Sequence, residues 1–520
     1  MSPKSFASRK PHSETRDGRG REQREEKRRE RMEASASEPF WKRRATDVVE
    51  ALRSGRVTPL ELVREARERV LAVDGVLNAV PTQCFARAEA RARLLSEREF
   101  PRDPERGYLY GLPILVKDTL AVKDVRFTKG SLIWEHNVAT RDDPVVEILE
   151  RKGAIVIGKT NTPELGLGSN TYNFVFGETV NPWDTRLTSG GSSGGSACAL
   201  ASGQGWLALG TDLGGSLRIP ASFCHVVGLR PTPGRVPMVE SASTSEPRLH
   251  SVVGPMARNV RDLALLMDAI YDRHRDDPHC AGPPSESFAD VLRTQWRERL
   301  PRRAAWSPTL GGAVPIEPEV VRACEDAARW FARSTEARVD FGAACMDLSR
   351  ARETFRVLRA EMFRSKGWLL RYGDKVKPEV VWQVRQGLDL AEGELARARR
   401  DHAALLRDTA AFFDRHDLLL CPCTMTAAFD VGVRWLKSCE GWDFGNYVDW
   451  LMPTSILSLT NCPSLSIPCG FTETSGLPVG LQMVAAPGRE ADLLCAALAF
   501  ERAHPYSDQV PIDPRIAVKL

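Results

Sequence analysis

The chain has 520 residues, with 72 lysines and arginines against 68 aspartates and glutamates and a formal net charge of +4. Residues 1–33 hold 11 basic and 7 acidic side chains, so the excess is local and the remainder is balanced at 61 of each sign. That balance disfavours a basic nucleic-acid or membrane-surface binder, while 42% hydrophobic residues suffice for large cores, in two to four domains or one large α/β unit.

The 12 cysteines include no CxxC pair and no Cys/His group at zinc spacing, which disfavours structural zinc and a disulfide scaffold. Cys421 and Cys423 read as buried small hydrophobes rather than ligands. No apolar run has the length of a membrane-spanning helix, and residues 1–31 lack the apolar core of a secretory signal. Residues 1–40 are expected to form a disordered charged tail, with Met32 as an alternative start, and the default compartment is the cytoplasm.

In chain order, Thr58, Pro59 and Glu61 read as N-cap, first-turn proline and capping-box acid of a helix through about Val73. Leu112 to Val116 is an apolar strand running into Lys117 and Asp118. Pro144 to Arg151 reads as a helix and Ala154 to Ile157 as a strand, and this alternation argues for an α/β fold. Asn181 to Ser189, with Pro182, Trp183 and Asp184, reads as a loop. Ala197 to Ala201 is a small-residue helix, and Leu207 to Leu209 is apolar. About 272 to 301 reads as a charged surface connection before helices near 318–332 and 390–413. Leu418 to Leu420, Ser464 to Ile467 and Val479 to Val484 follow as strands, and Glu490 to Glu501 as a helix.

Two motifs fail on context. Gly153, Gly158, Lys159 and Thr160 satisfy GxxxxGK[ST], but Ala154 to Ile157 prefer strand and leave no flexible phosphate cradle. Gly190, Ser192 and Gly194 satisfy GxSxG, but the nucleophile elbow needs a strand before it, where a loop is expected. A Ser-His-Asp set completed by His225, His250 or His416 stays open as a rival.

A third group of residues fits a different chemistry. Residues 190–196 read GGSSGGS, a loop able to bring backbone N–H groups close to a reacting group. Thr211 to Ser216 turn through two glycines after an apolar run, which can expose the Ser216 hydroxyl beside N–H donors. Lys117 at a strand end can be desolvated, and burial moves a lysine toward the range where it acts as a base. Singly, each also fits a solvated charge, a linker or an N-cap. Jointly, GLPILVKD around Lys117, GGSSGGSACALASG and GTDLGGSLRIPASF resemble the defining segments of the amidase signature family. Lys117 and Ser192 are 75 positions apart, and Ser192 and Ser216 are 24 apart. The resemblance runs from about 45 to 505 and includes GPMARNVRDLALLMDAI, SIPCGF and GLPVGLQMV.

The resemblance implies a single large mixed β-sheet core covered by helices on both faces, spanning 41–515 as a discontinuous domain with a variable helical region at about 270–415. It implies a Ser-Ser-Lys triad, with Ser216 as nucleophile, Lys117 as neutral base and Ser192 as relay behind a cis Gly191–Ser192 bond. It further implies an oxyanion hole from the amides of Leu213, Gly214, Gly215 and Ser216, with Ser193, Asp212 and Arg218 supporting. The expected activity is hydrolysis of a small amide through an acyl-enzyme, with no metal or organic cofactor and no nucleic-acid or membrane partner; a homodimer is left open. Ser189 stands where many members have proline, and His225 where glycine is common. The A-type component of the glutamyl-tRNA amidotransferase usually has glutamine where this chain has Ile219, which favours a free-standing amidase. Alternatives are that amidotransferase component, an ester or carbamate hydrolase, and a non-enzymatic receptor on the same scaffold. Trp435, Trp442, Phe444, Tyr447 and Trp450 are expected either to line an acyl or aryl pocket or to pack a lid.

Overall fold

The computed structural model describes residues 38–516 apart from 98–99, 102, 239–249, 279 and 343. The tail expected over 1–40 and the alternative start at Met32 therefore fall almost wholly outside the described residues.

An eleven-stranded mixed sheet organises the chain, with helices on both faces. We number its strands in chain order: β1 Thr82–Gln83, β2 Pro113–Lys117, β3 Ile155–Thr160, β4 Leu207–Asp212, β5 Val227–Arg230, β6 Val252–Ala257, β7 Arg303–Trp306, β8 Arg338–Asp340, β9 Leu418–Pro422, β10 Ser464–Phe471 and β11 Pro478–Val484. Across the sheet the order is β1-β3-β2-β4-β6-β5-β10-β11-β9-β7-β8. Early and late strands thus share one core, because β5 pairs with β10 through Leu229 and Leu465.

The apolar runs become strands because they are buried on both faces, as fully covered strands must be; every residue of β2, β3, β4 and β9 is buried. The strand β2 runs parallel to β4, with Ile114, Leu115 and Val116 opposite Leu207, Ala208 and Leu209. It also runs parallel to β3, with Lys117 opposite Thr160. Three strands therefore end side by side at one edge. Carboxyl ends of adjacent parallel strands are where α/β sheets hold their ligands.

Several expectations need correction. The capping box at Thr58 and Glu61 is present, but its helix continues from Pro59 to Leu77 before Asn78 ends it in the left-handed region. Asn181 to Ser189 is not a loop: Val180–Asn181 and Asp184–Thr188 pair as an antiparallel hairpin, held by the Asn181 amide on the Thr188 and Phe223 carbonyls. The stretch 272–301 contains the helix Phe288–Thr294, capped by Ser287. The region 270–415, expected to be helical, also supplies the strand β7 and the edge strand β8. Among the described residues, no helix is long and apolar enough to cross a membrane.

Candidate functional site

The GGSSGGS run divides into a turn and a helix. The helix α1, Gly194–Ala201, begins inside it and is wholly buried. Only glycine fits at its start: a Cβ on Gly195 would lie 2.4 Å from the Asn161 nitrogen and 2.7 Å from the Ala79 carbonyl. The hydroxyls of Ser196 and Thr160 are 2.7 Å apart, which ties α1 to the end of β3. Just before α1, the turn holds Ser192 and Ser193, and the Gly191–Ser192 peptide bond is cis, as the resemblance implies.

This packing places the turn against the end of β2. Lys117 is fully buried, and its Nζ lies 2.6 Å from Ser192 Oγ, 3.0 Å from Ser193 Oγ and 2.9 Å from Thr211 Oγ1. Among the described residues no carboxylate lies within ion-pair distance of that nitrogen. Burial pushes the Lys117 amine down to about 7, against the opposing pull of the Asp212 charge. Thr211 was not among the expected site residues. Its signal in the sequence was slight: it sits within β4, two residues beyond the last position paired with β2.

The segment after β4 carries Ser216 into the helix α2, Arg218–Cys224. The Ser193 N–H donates to the Ser216 carbonyl at 3.1 Å, which joins the two serine-bearing turns. Gly215 has φ +121°, and a Cβ there would sit 2.0 Å from Thr454 Oγ1, so the turn admits only glycine. Thr454 Oγ1 itself donates to the Gly214 carbonyl at 2.8 Å.

Asp212 holds this turn from beneath. Its carboxylate accepts from the Gly215 N–H at 2.8 Å, the Leu217 N–H at 3.1 Å and Arg218 Nη2 at 3.0 Å. Arg230 donates to the Asp212 carbonyl at 2.6 Å. Burial alone would raise this carboxyl, but the two guanidiniums outweigh it and hold the group at about 2. Arg218 reaches on to Gln482 Oε1 and Ser458 Oγ, both at 2.7 Å. Of the four amides expected to face an oxyanion, the Gly215 N–H is therefore committed to Asp212. Among the described residues the N–H groups of Leu213, Gly214 and Ser216 bind no acceptor.

Ser192, Thr211, Leu213 and Ser216 open on one cavity of about 540 Å³. Its further walls are the segment 119–143, the turn at Leu165 to Leu167, and Arg359, Met362 and Phe363 of the helix α3, Ala351–Arg364. None of Trp435, Trp442, Phe444, Tyr447 and Trp450 lines it. Trp442 is exposed on a short hairpin, and Trp450 packs edge-on against Phe429 at 5.4 Å, so the pocket-wall expectation is overturned. Phe444, Tyr447 and Trp450 pack in the interior, whereas Trp435 is half-buried.

The loop context held against GxSxG is overturned, because the strand Asp184–Thr188 precedes Ser192, and the case against a Ser-His-Asp set is instead the placement of the histidines. Lys159 ends 2.8 Å from Asp118 Oδ1, both side chains buried, so the lysine of GxxxxGK[ST] closes an internal ion pair. His225 stacks on Phe471 at 4.8 Å and meets Trp183 at 5.2 Å, and burial pushes its ring down to about 3. It takes a left-handed φ of +61° at the end of α2, where glycine would be at ease. Ser189 is buried and donates to the Thr179 carbonyl at 3.0 Å. His416 stacks on Phe412. Among the described residues no histidine lines the cavity. Cys421 and Cys423 are fully buried free thiols.

Known proteins resemble the chain over most of its length. A family model described as Amidase matches residues 61–494. The chain is 32% identical over 480 residues to the A-type component of the glutamyl-tRNA(Gln) amidotransferase of Thermosynechococcus vestitus, covering 87% of this chain and 96% of that one. It is 31% identical over 481 residues to an acylamidase of Rhodococcus erythropolis, covering 90% and 97%. Among solved structures, a bacterial aryl acylamidase of the amidase signature family superposes with a TM-score of 0.81 at 26% identity, covering 91% of this chain and 99% of that one. A 6-aminohexanoate cyclic dimer hydrolase complexed with substrate gives 0.77 at 26% identity, covering 92% and 99%. The chain belongs to the amidase signature family.

Proposed function

We propose that this protein is an amidase that acts without a partner chain, cleaving the C–N bond of a small amide through an acyl-enzyme on Ser216. The observation that carries the reading is the lysine: a buried amine with three hydroxyl neighbours and no acid partner among the described residues.

A neutral amine has two N–H groups and one lone pair. Ser193 Oγ donates to the Thr211 carbonyl at 3.3 Å, so it accepts from the amine. If Thr211 Oγ1 accepts the second N–H, the lone pair is left for the Ser192 hydroxyl, the nearest of the three. Ser192 then takes the Ser216 proton as it gives its own to Lys117, and Ser216 Oγ forms a bond to the carbonyl carbon. The amides of Leu213, Gly214 and Ser216 are the donors for the oxyanion; losing one such donor typically costs about 3 kcal/mol of transition-state stabilisation. Lys117 returns its proton through Ser192 to the departing nitrogen, which leaves as ammonia or amine. Water repeats the sequence on the ester and frees the carboxylate product.

Leu120, Phe127, Val138, Leu167, Met362 and Phe363 give the cavity apolar surface, which supports a substrate with an apolar or aryl portion. The relatives include both amidotransferase components and an acylamidase. Ile219, at the end of the Gly215 turn, favours the free-standing enzyme over the amidotransferase component. The test is amine release from small amides by the purified chain alone; turnover only after addition of a partner chain would favour the amidotransferase reading instead.

A further inference from the structure

Beside its apolar surface the cavity holds three cations, Arg359, Lys129 and Lys366, that form no ion pair among the described residues. Arg359 is 4% exposed. Its Nε donates to Gln383 Oε1 at 2.8 Å and Nη2 to the Tyr447 hydroxyl at 2.9 Å. Both partners are neutral, and among the described residues no carboxylate lies within ion-pair distance and nothing binds Nη1. A guanidinium this buried normally has an acid beside it. Lys129 and Lys366 also line the cavity without an ion-pair partner among the described residues. The one carboxylate in the wall is Asp143, whose Oδ2 accepts from the Ala121 N–H at 2.5 Å and whose charge interacts with Lys129, Lys159 and Arg141.

The position of Arg359 relative to the serine turn follows from α3. A Cβ on Gly214 would lie 2.8 Å from Phe355 Cζ, so Phe355 touches that turn. Arg359 is one helical turn further on the same face, about 6 Å along the axis, followed by Met362 and Phe363. The helix that touches the serine turn through Phe355 thus also brings a cation and apolar side chains, Arg359, Met362 and Phe363, to the cavity wall.

We infer that Arg359, assisted by Lys366, is a substrate-binding residue that receives a carboxylate, and that the substrate is an amide whose apolar portion ends in an acidic group. A zwitterionic amide would bring an ammonium into the same group of cations and is disfavoured. The inference rests on the amidase reading for which end reacts, whereas the binding of the acid does not depend on turnover.

The test uses adipamate, the half-amide of a six-carbon diacid, and the neutral hexanamide, titrated calorimetrically into Ser216→Ala protein at fixed ionic strength. Adipamate should bind at least about ten-fold more tightly, the scale of one charge-assisted hydrogen bond. Adding Arg359→Gln should bring the ratio to within about three-fold of one, while Arg359→Lys keeps part of it. Should Arg359→Gln not fold, Lys366→Gln, on a half-exposed residue, should still reduce the ratio by about three-fold. Equal affinities, binding of neither compound, or a ratio unmoved by these variants would overturn the inference. If the ratio holds while wild-type protein hydrolyses neither compound, the amidase reading fails and the acid site stands.

Discussion

The buried lysine makes a quantitative demand on the pH profile. An ordinary lysine near 10.5 would be neutral in only about three molecules in ten thousand at pH 7; with the amine at about 7, half the molecules hold the base ready. Burial favours the uncharged form, so lowering the pH loads the proton that disables it. On the acid side kcat/KM should fall with unit slope about a midpoint near 7, giving about a ninety-fold loss between pH 8 and pH 5. The assay is ammonia release from a neutral amide, whose own ionisation is constant over pH 5–9, at fixed ionic strength. A profile flat from pH 5 to 8 would refute the lysine as base. A midpoint near 10 would refute its desolvation.

Three substitutions extend the same reasoning. Lys117→Met should abolish turnover yet stabilise the fold at pH 7: the folded amine lies below its unfolded value, so the unfolded chain binds the extra proton between about 7 and 10.5. The gain is at most about 5 kcal/mol, less what the three hydroxyls lose, and urea unfolding should show it shrinking as pH rises toward 10.5. Asp212→Asn leaves Arg218 and Arg230 without their acid; breaking such a buried group costs about 3 to 5 kcal/mol, read as a lower urea midpoint. Gly215→Ala puts a methyl 2.0 Å from Thr454 Oγ1 at a positive φ, so kcat should drop by at least about a hundred-fold with a lesser effect on KM.

Much of this candidate site is legible in the sequence, and the reasons differ by residue. The strands β2, β3 and β9 were readable because burial on both faces leaves unbroken apolar runs, and the Thr58 and Pro144 helices because their starts carry caps or an N1 proline. Lys117, Ser192 and Ser216 were joined by resemblance, since nothing in their separations alone brings three strand-end turns together. What was lost lies where tertiary contacts choose. The Asn181 hairpin looked like a loop because Pro182 and Trp183 occupy its turn. The edge strand β8, Arg338–Val339–Asp340, has no apolar alternation to mark it. Arg359 is one of four arginines in the run from Arg352 to Arg364 of α3; only the fold shows that this one turns inward toward Gln383 and Tyr447 rather than to water. The aromatic run from Trp435 to Trp450 misled for the converse reason, since large rings advertise burial without saying whether protein or ligand meets them.

The central claim, that Ser216 is the nucleophile and draws its reactivity from Lys117 through Ser192, is tested most directly by locating a fluorophosphonate adduct by peptide mapping across variants. The adduct should sit on Ser216, be absent in Ser216→Ala, and form at least about a hundred-fold more slowly in Ser192→Ala and Lys117→Met. An adduct on Ser192, or labelling of Ser216 at an undiminished rate without Lys117, would contradict it.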